Sequence, residues 1–493
     1  MGNRRGTPAM LLLTVVLVNW GLITHGTFAG SGDEPHYMLI AHSLAFDGDL
    51  DVANDYRDAT LITTGTLQPD AHAVWVGQYL RPVHDVGMPL LFAPAVAVAY
   101  RIADTASSAL PASLLQRARL TPALIFRHQM SGLMALVAGL MAIELYALFL
   151  AMGSSSLAGA SALVVTLSPP ILAHSFLFFT EIVTAAIVIA VFRRVMAGNR
   201  SVGVLAALGL ATGFLFIVHA RNIGLVVGLS GLVGWATVKG RVSRAHAGYF
   251  YAGVAAALVC RTAVNFALWG QLLTTPHASL GASGGIVAAL TEVWTRAAGL
   301  LLDREFGLLA YAPIYVCALA GLVICLRVSR SDVLNAALAL AGLYLLPVLL
   351  SITNRHGWTG GWSPAARFLV PIVPLIAVAG YAFVLAAPRR LLGVLVAVQI
   401  VIDAFVWQNP KVLWNEGDGI SAFVPANVLP SVATAGAGWT VVVLISLIAL
   451  VPYVLARTGG DALGRAPRAA HAAGDVASVA TPAGDGIRIT RER

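Results

Sequence analysis

The sequence predicts an all-α polytopic membrane protein with about 12 transmembrane helices and a long first extracytoplasmic loop. Three observations predict it. First, 58% of the 493 residues are hydrophobic and 11% charged, with a mean hydropathy of +0.81, whereas a soluble domain carries roughly 25% charged residues. Second, about a dozen apolar runs approach the roughly 20 residues that a helix needs to cross a bilayer; the short alternating strands of a membrane β-barrel are not seen. Third, basic residues gather in alternate gaps between those runs, as cytoplasmic loops do. A soluble enzyme is excluded. The formal charge of +8 comes almost wholly from arginine, the only lysines being Lys239 and Lys411, and it belongs to loops, so no nucleic-acid partner is expected. Cys260, Cys317 and Cys325 lie inside apolar runs without metal-ligand spacing, which argues against a disulfide or a zinc site.

The first run follows a basic Met1–Arg5 stretch but ends without a small-x-small cleavage site, so it is read as a retained anchor. Spans are placed at 9–29, 129–151, 157–179, 181–196, 201–219, 222–238, 248–268, 306–327, 332–352, 366–387, 391–407 and 438–456. Residues 86–103 are a further candidate, interrupted by Pro89 and Pro94. If they do not cross, Arg4/Arg5, Arg193/Arg194 with Arg200, Lys239/Arg241/Arg244, Arg327/Arg330, Arg389/Arg390 and the tail after Arg457 all share one side, the cytoplasm by the positive-inside rule. If they do cross, the N-terminus conflicts with every later cluster. Residues 86–103 are therefore read as a juxtamembrane or re-entrant segment on the outer face. Residues 1–456 then form one transmembrane domain with outer loops at 30–128, 269–305 and 408–437, joined by the hairpin 351–365. Residues 457–493, rich in Ala, Gly, Asp and Arg, form a disordered cytoplasmic tail. Arg193, Lys239, Arg327 and Arg389 are expected inside, and Asp33, Asp303 and Trp362 outside. Most carboxylates before the tail fall on the outer side, and function is expected there.

The first outer loop opens with Gly32-Asp33-Glu34-Pro35-His36-Tyr37. Ser31 with Glu34 reads as a capping box and Pro35 suits a first helical turn. A carboxylate at a helix N-terminus also stays ionised, as a general base requires. An Asp-Glu pair directly after span one, opening a long acidic loop on a chain of about a dozen spans, resembles the GT-C superfamily of membrane glycosyltransferases, which includes protein O-mannosyltransferases and the aminoarabinose transferase of lipid A. The resemblance covers roughly residues 1–400. It implies a polyprenyl-phosphate-linked sugar donor and a glycolipid, polysaccharide or protein acceptor hydroxyl on the outer face, with membrane lipid as surroundings. It also implies an inverting single displacement, with Asp33 as base and Glu34 beside it. His36 belongs to the same motif and is grouped with the substrate-binding residues. His84-Asp85, followed by Gly87-Met88-Pro89-Leu90, resembles the His-Pro-Pro-Leu element that such proteins carry later in this loop, with Asp85 in place of the first proline.

Asp47, Asp49, Asp51, Asp55 and Asp58 fall at positions 1, 3, 5, 9 and 12 of a calcium-type loop, but Val52 replaces the obligatory glycine and Asp58 the bidentate Glu. A solvated acidic turn is the better reading. No cofactor is required; a divalent cation stays possible, and no metal ligand is assigned. Glu181, at the outer end of a span after Ser168-Pro169-Pro170 and His174, is a second candidate carboxylate, because an ionisable group at that depth is costly without a partner or a role. Complementary arginines sit at outer span ends. Arg221 lies in a tight turn, Arg261 and Asn265 share a helix face, and Asp303-Arg304-Glu305 precedes a span. Arg355, Trp358, Trp362 and Arg367 follow in Arg355-His356-Gly357-Trp358 and Gly360-Gly361-Trp362-Ser363-Pro364-Ala365-Ala366-Arg367. Guanidinium groups at headgroup level suit a lipid phosphate whose leaving charge must be neutralised, and the tryptophans suit a sugar platform; the alternative for each arginine is interfacial anchoring. Glu144, deep in its span, is expected to make an interhelical hydrogen bond. P-loop, His-Glu-x-x-His and Gly-x-Ser-x-Gly motifs are missing, which removes support for ATP-driven transport and familiar hydrolases. A secondary transporter is the rival reading. It would place ionisable residues near the midplane in two matched halves, whereas here they crowd one face.

Overall fold

The structure is a computed structural model and describes residues 6–25, 32–59, 62, 67–153, 155–198, 201–272, 286–327, 331–351, 357–361 and 363–409. Ser31, Arg355, Trp362, the span at 438–456, nearly all of the loop at 408–437 and the tail lie outside them. Helices dominate. The order begins α1 (Thr7–His25), α2 (Glu34–Phe46), α3 (Ala53–Arg57), β1 (Ala73–Val76), β2 (Tyr79–Pro82), α4 (Gly87–Ala109), α5 (Ala112–Arg117), α6 (Pro122–Met152), α7 (Ser155–Leu167), α8 (Ile171–His174), α9 (Thr180–Met196), α10 (Val202–Val218), α11 (Ile223–Val238) and α12 (Arg244–Trp269). It continues with α13 (Ile286–Leu302), α14 (Leu308–Tyr311), α15 (Val316–Arg327), α16 (Asp332–Ser351), α17 (Val373–Ala386) and α18 (Arg389–Gln408). Among the described residues, 7 helices are long and apolar enough to cross a membrane, and the chain is a mostly helical, multi-pass membrane protein.

Three sequence expectations change. The span at 157–179 is not continuous: α7 ends at Leu167 and only the short α8 follows, because Pro169 and Pro170 supply no amide hydrogens and their rings block a regular helix. The span at 306–327 is likewise divided, with α14 and a 3-10 turn Pro313–Tyr315 ahead of α15. The first loop also contains an antiparallel hairpin, pairing Ala73 with Pro82 and Val76 with Tyr79. Gly77, at φ +66°, is the first of its two turn residues, where the right-handed twist of the strands favours positive φ.

Helices pack through small residues, as in membranes, where close backbone approach replaces the hydrophobic drive. A Cβ on Gly209 of α10 would lie 2.0 Å from the Phe250 carbonyl oxygen of α12, and one on Gly321 of α15 would lie 1.8 Å from the Ala379 carbonyl oxygen of α17. Three ion pairs, in two groups, mark the ends of the bundle. Arg127, near the start of α6, pairs with Glu34, and Glu144, further along α6, pairs with Arg193 and Arg194 near the end of α9. Glu144 thus makes an interhelical contact as expected, but to a basic pair at a helix end.

Helix α4 meets the length and apolarity of a span, and neither Pro89 in its first turn nor Pro94 interrupts it. Its start and middle are fixed by contacts to α10, α6 and α2. At its start Gly87 sits against Ile217 and Val218 at the close of α10, where a Cβ would come within 2.4 Å of backbone. At its middle the Ala99 carbonyl accepts from Gln129 Nε2 at 3.2 Å, two residues beyond Arg127, and Tyr100 meets His42 and Phe46 of α2.

Candidate functional site

Ser31, one half of the expected capping box, lies outside the described residues, and both carboxylates at the start of α2 have partners elsewhere in the chain. Asp33 occupies the N-cap without a side-chain cap bond. Its Oδ2 accepts from Arg367 Nη2 at 2.6 Å. Glu34 points into the protein, accepting from Arg127 Nη2 at 2.9 Å and from the Phe178 amide at 3.0 Å. Side-chain exposure separates them: 22% for Asp33 against 1% for Glu34.

Arg367 is presented by a distorted backbone. Ala366 adopts the left-handed region at φ +57° and Gly360 has φ +90°. A Cβ on Gly360 would fall 2.9 Å from Ser363 Oγ and 3.3 Å from Arg367 Cβ, so glycine admits the close approach as well as the dihedral. The Gly360 carbonyl accepts from Arg367 Nη1 at 3.3 Å and from Ser363 Oγ at 3.0 Å. Arg367 Nε donates to Glu181 Oε1 at 2.7 Å, and the guanidinium lies 4.6 Å above the Phe179 ring. Arg221, from the turn between α10 and α11, approaches the same Glu181 oxygen at 3.4 Å and covers Phe368 at 5.0 Å. Asp33, Glu181, Arg221 and Arg367 therefore form one charged cluster at the Glu34 end of the bundle, and Glu181 and Arg193 stand roughly 18 Å apart along α9 at 1.5 Å per residue.

Histidines lie over the exposed side of Asp33. The hairpin sets His72 beside Val83, whose amide donates to the His72 carbonyl at 2.9 Å. His72 Nδ1 then lies 2.8 Å from His84 Nε2 and 4.0 Å from Asp33 Oδ1. His36 stacks on His72 with ring centroids 3.7 Å apart, and its Nδ1 meets the Tyr56 hydroxyl at 2.5 Å. Burial alone would raise the Asp33 carboxyl, but the Arg367 guanidinium, with His84 and His72 nearby, holds it well below the usual carboxylate range. Burial, assisted by His72 and His84, pulls the His36 imidazole down to about 3. Asp33, His72 and His84 offer ligand atoms within 4.8 Å of one another, as do His42, Asp47 and Asp55.

The remaining predicted residues divide. Asp85 stands apart from the cluster: it pairs with Arg261 and accepts from the Ala220 amide at 2.7 Å, tying α4 to α10 and α12, and burial pushes its carboxyl up. Trp358 is 1% exposed and packs on Gly299 and on the Phe306 ring, which makes it a core side chain rather than an open sugar platform. Asp303 accepts from the Glu305 and Phe306 amides. In the acidic turn, Asp49 and Asp51 hold local amides, Asp47 holds Asn54, and Asp55 pairs with His42 at 2.6 Å. Sequence reasoning missed His72, Tyr56 and Arg127. The short β-branched and aromatic run Val74-Trp75-Val76 beside Gly77 is the one local sign of the hairpin that carries His72; Arg127 gives no local sign of its partner 93 residues away.

Fold and site together define a multi-pass helical membrane protein with a carboxylate–guanidinium cluster at one end of its bundle. No family model matches the sequence, and no curated protein matches it. Among solved structures the chain is similar to the crystal structure of ArnT from Cupriavidus metallidurans bound to undecaprenyl phosphate, at 15% identity and a TM-score of 0.48, the match covering 95% of this chain and 75% of that one.

Proposed function

We propose that the protein is an inverting glycosyltransferase that moves a sugar from a polyprenyl-phosphate donor to an acceptor hydroxyl on the outer face of the membrane. One observation carries the reading: Asp33 and Arg367, 334 residues apart in sequence, meet at 2.6 Å with Glu181 on the other side of the guanidinium. That is the arrangement a transfer from a lipid phosphate asks for, a carboxylate to take a proton beside a cation to receive an anionic leaving group. Asp33 is the base in preference to Glu34, which is enclosed and already paired. The first-loop resemblance to GT-C enzymes points to the same residue, and the gathering of charge at one end of the bundle disfavours a midplane transporter site.

In the proposed reaction the acceptor oxygen attacks the anomeric carbon and its proton passes to Asp33. The bond from that carbon to the phosphate oxygen breaks on the opposite face, and its electron pair leaves with the polyprenyl phosphate. Arg367 and Arg221 receive the phosphate charge, and Glu181 keeps both guanidinium groups in place. Donor phosphate draws Arg367 away from Asp33, which raises the basicity of Asp33 as the substrate arrives. Asp33→Asn preserves size but cannot take the proton. Transfer from a polyprenyl-phosphate sugar by the purified variant is expected to fall roughly 10² to 10⁴-fold with an unchanged thermal transition; turnover close to the parent would remove Asp33 as base.

A further inference from the structure

We propose that Asp33, His72 and His84 form a binding site for a divalent transition-metal cation of the zinc class. The three residues come from separate segments. Asp33 is held at the start of α2 by Arg367, while His72 and His84 flank the hairpin and are held in register by its ladder and by the Val83–His72 backbone bond.

The distances distinguish a ligand set from a hydrogen-bonded chain. His72 Nδ1 and His84 Nε2 are 2.8 Å apart, but the next step, His72 Nδ1 to Asp33 Oδ1, is 4.0 Å, beyond a hydrogen bond. With metal–ligand bonds of about 2.0 to 2.2 Å, neighbouring ligand atoms in a tetrahedral site stand roughly 3.4 Å apart. Opening the first distance and closing the second by about 0.6 Å each brings both to that spacing, a shift that partly exposed side chains absorb by small rotations. Two imidazoles and one carboxylate suit zinc and its neighbours better than calcium or magnesium, which prefer all-oxygen shells.

The second Asp33 oxygen faces Arg367, so without donor the carboxylate would join the cation to the guanidinium, and this is the oxygen left to take a proton once donor phosphate draws Arg367 away. Three protein ligands leave a coordination position open, and a phosphate oxygen suits it. That last role rests on the transferase reading; cation binding itself does not. The His42–Asp47–Asp55 group is the internal comparison, because Asp47 and Asp55 already hold Asn54 and His42.

The test uses the full-length protein in detergent, stripped with a chelator and titrated with Co²⁺ followed by its visible d–d absorption, then with Zn²⁺ in competition. One cation per chain is expected, displaced by Zn²⁺. His72→Ala and His84→Ala should each weaken Co²⁺ binding by at least about tenfold, while His42→Ala leaves it unchanged. His84→Cys supplies a positive signal if the alanine variants fold poorly: a thiolate at that position should add a near-ultraviolet sulfur-to-cobalt band. Absence of a stoichiometric Co²⁺ spectrum overturns the proposal. So do loss of the spectrum in His42→Ala with retention in His72→Ala, and absence of the sulfur band in a folded His84→Cys protein. None of these readings involves sugar transfer, so the metal site and the transferase reading fail separately.

Discussion

Two neighbouring carboxylates at the start of α2 have opposite environments, and their variants should behave oppositely. Arg127→Met leaves Glu34 enclosed with the Phe178 amide but without its counter-charge. Removing one partner of a buried pair costs about 3 to 5 kcal/mol, so the thermal transition in detergent should drop sharply, whereas that of Asp33→Asn should hold. Arg367 makes a complementary test. Its guanidinium donates to two carboxylates and one carbonyl at once, a fork that an ammonium cannot reproduce. Arg367→Lys should therefore raise the donor concentration needed for half-maximal transfer almost as much as Arg367→Ala; equal donor dependence in lysine variant and parent would reduce Arg367 to an interfacial anchor. His174 sets a pH dependence. It is fully buried, its Nδ1 faces the Pro170 carbonyl at 2.9 Å, and burial pulls it down to about 4. Between about 6.5 and about 4 the unfolded chain binds this proton and the folded one does not, so stability falls as pH drops through that window. His174→Gln should flatten that slope in melts recorded across it. Asp33, Glu181, Arg221 and Arg367 were legible in the sequence because ionisable residues next to apolar runs are conspicuous. Their partnerships were not, since a pair separated by 186 or 334 residues leaves no local pattern.

At the scale of elements, most of the long apolar helices were legible to within a few residues, because apolar length alone encodes them. The expected span 181–196 is α9 at Thr180–Met196, and 201–219 is α10 at Val202–Val218. The failures occur where proline interrupts an apolar run: hydropathy stays high across Pro169, Pro170 and Pro313 while the helix does not. The hairpin escaped because four-residue strands carry too short a pattern to stand out beside long helices. Packing between helices gives a sharper test. Gly321→Leu would drive a side chain into the Ala379 carbonyl of α17, and no rotamer relieves a clash with backbone. The variant should fail to accumulate or should lose its cooperative melt, while Gly342→Leu, with open space around its Cβ position, should behave like the parent.

For the whole molecule, the side on which each loop falls turns on residues 86–103, where a single helix, α4, is long and apolar enough to cross a membrane. Impermeant thiol labelling of intact cells tests the resulting topology. Gln78→Cys and Arg117→Cys should react from outside, and Lys239→Cys only after permeabilisation; protection of the Arg117→Cys protein in intact cells would return α4 to the membrane interior. The position of α4 has a wider consequence. Leu90, Leu91, Val98 and Ile102 are all exposed, while Met88, Val96, Ala99 and Ala103 face the protein. On the non-crossing reading such a helix would rest at the level where acyl chains begin, and through Gly87 and Asp85 it is fastened to the same turn that holds Arg221. Lying at the interface, as the non-crossing reading has it, α4 would act as a float, setting how high the charged cluster rides above the lipid. Thinner or thicker bilayers would then change the reach between an embedded prenyl tail and its phosphate, so turnover should vary with acyl-chain length even where the protein stays fully folded.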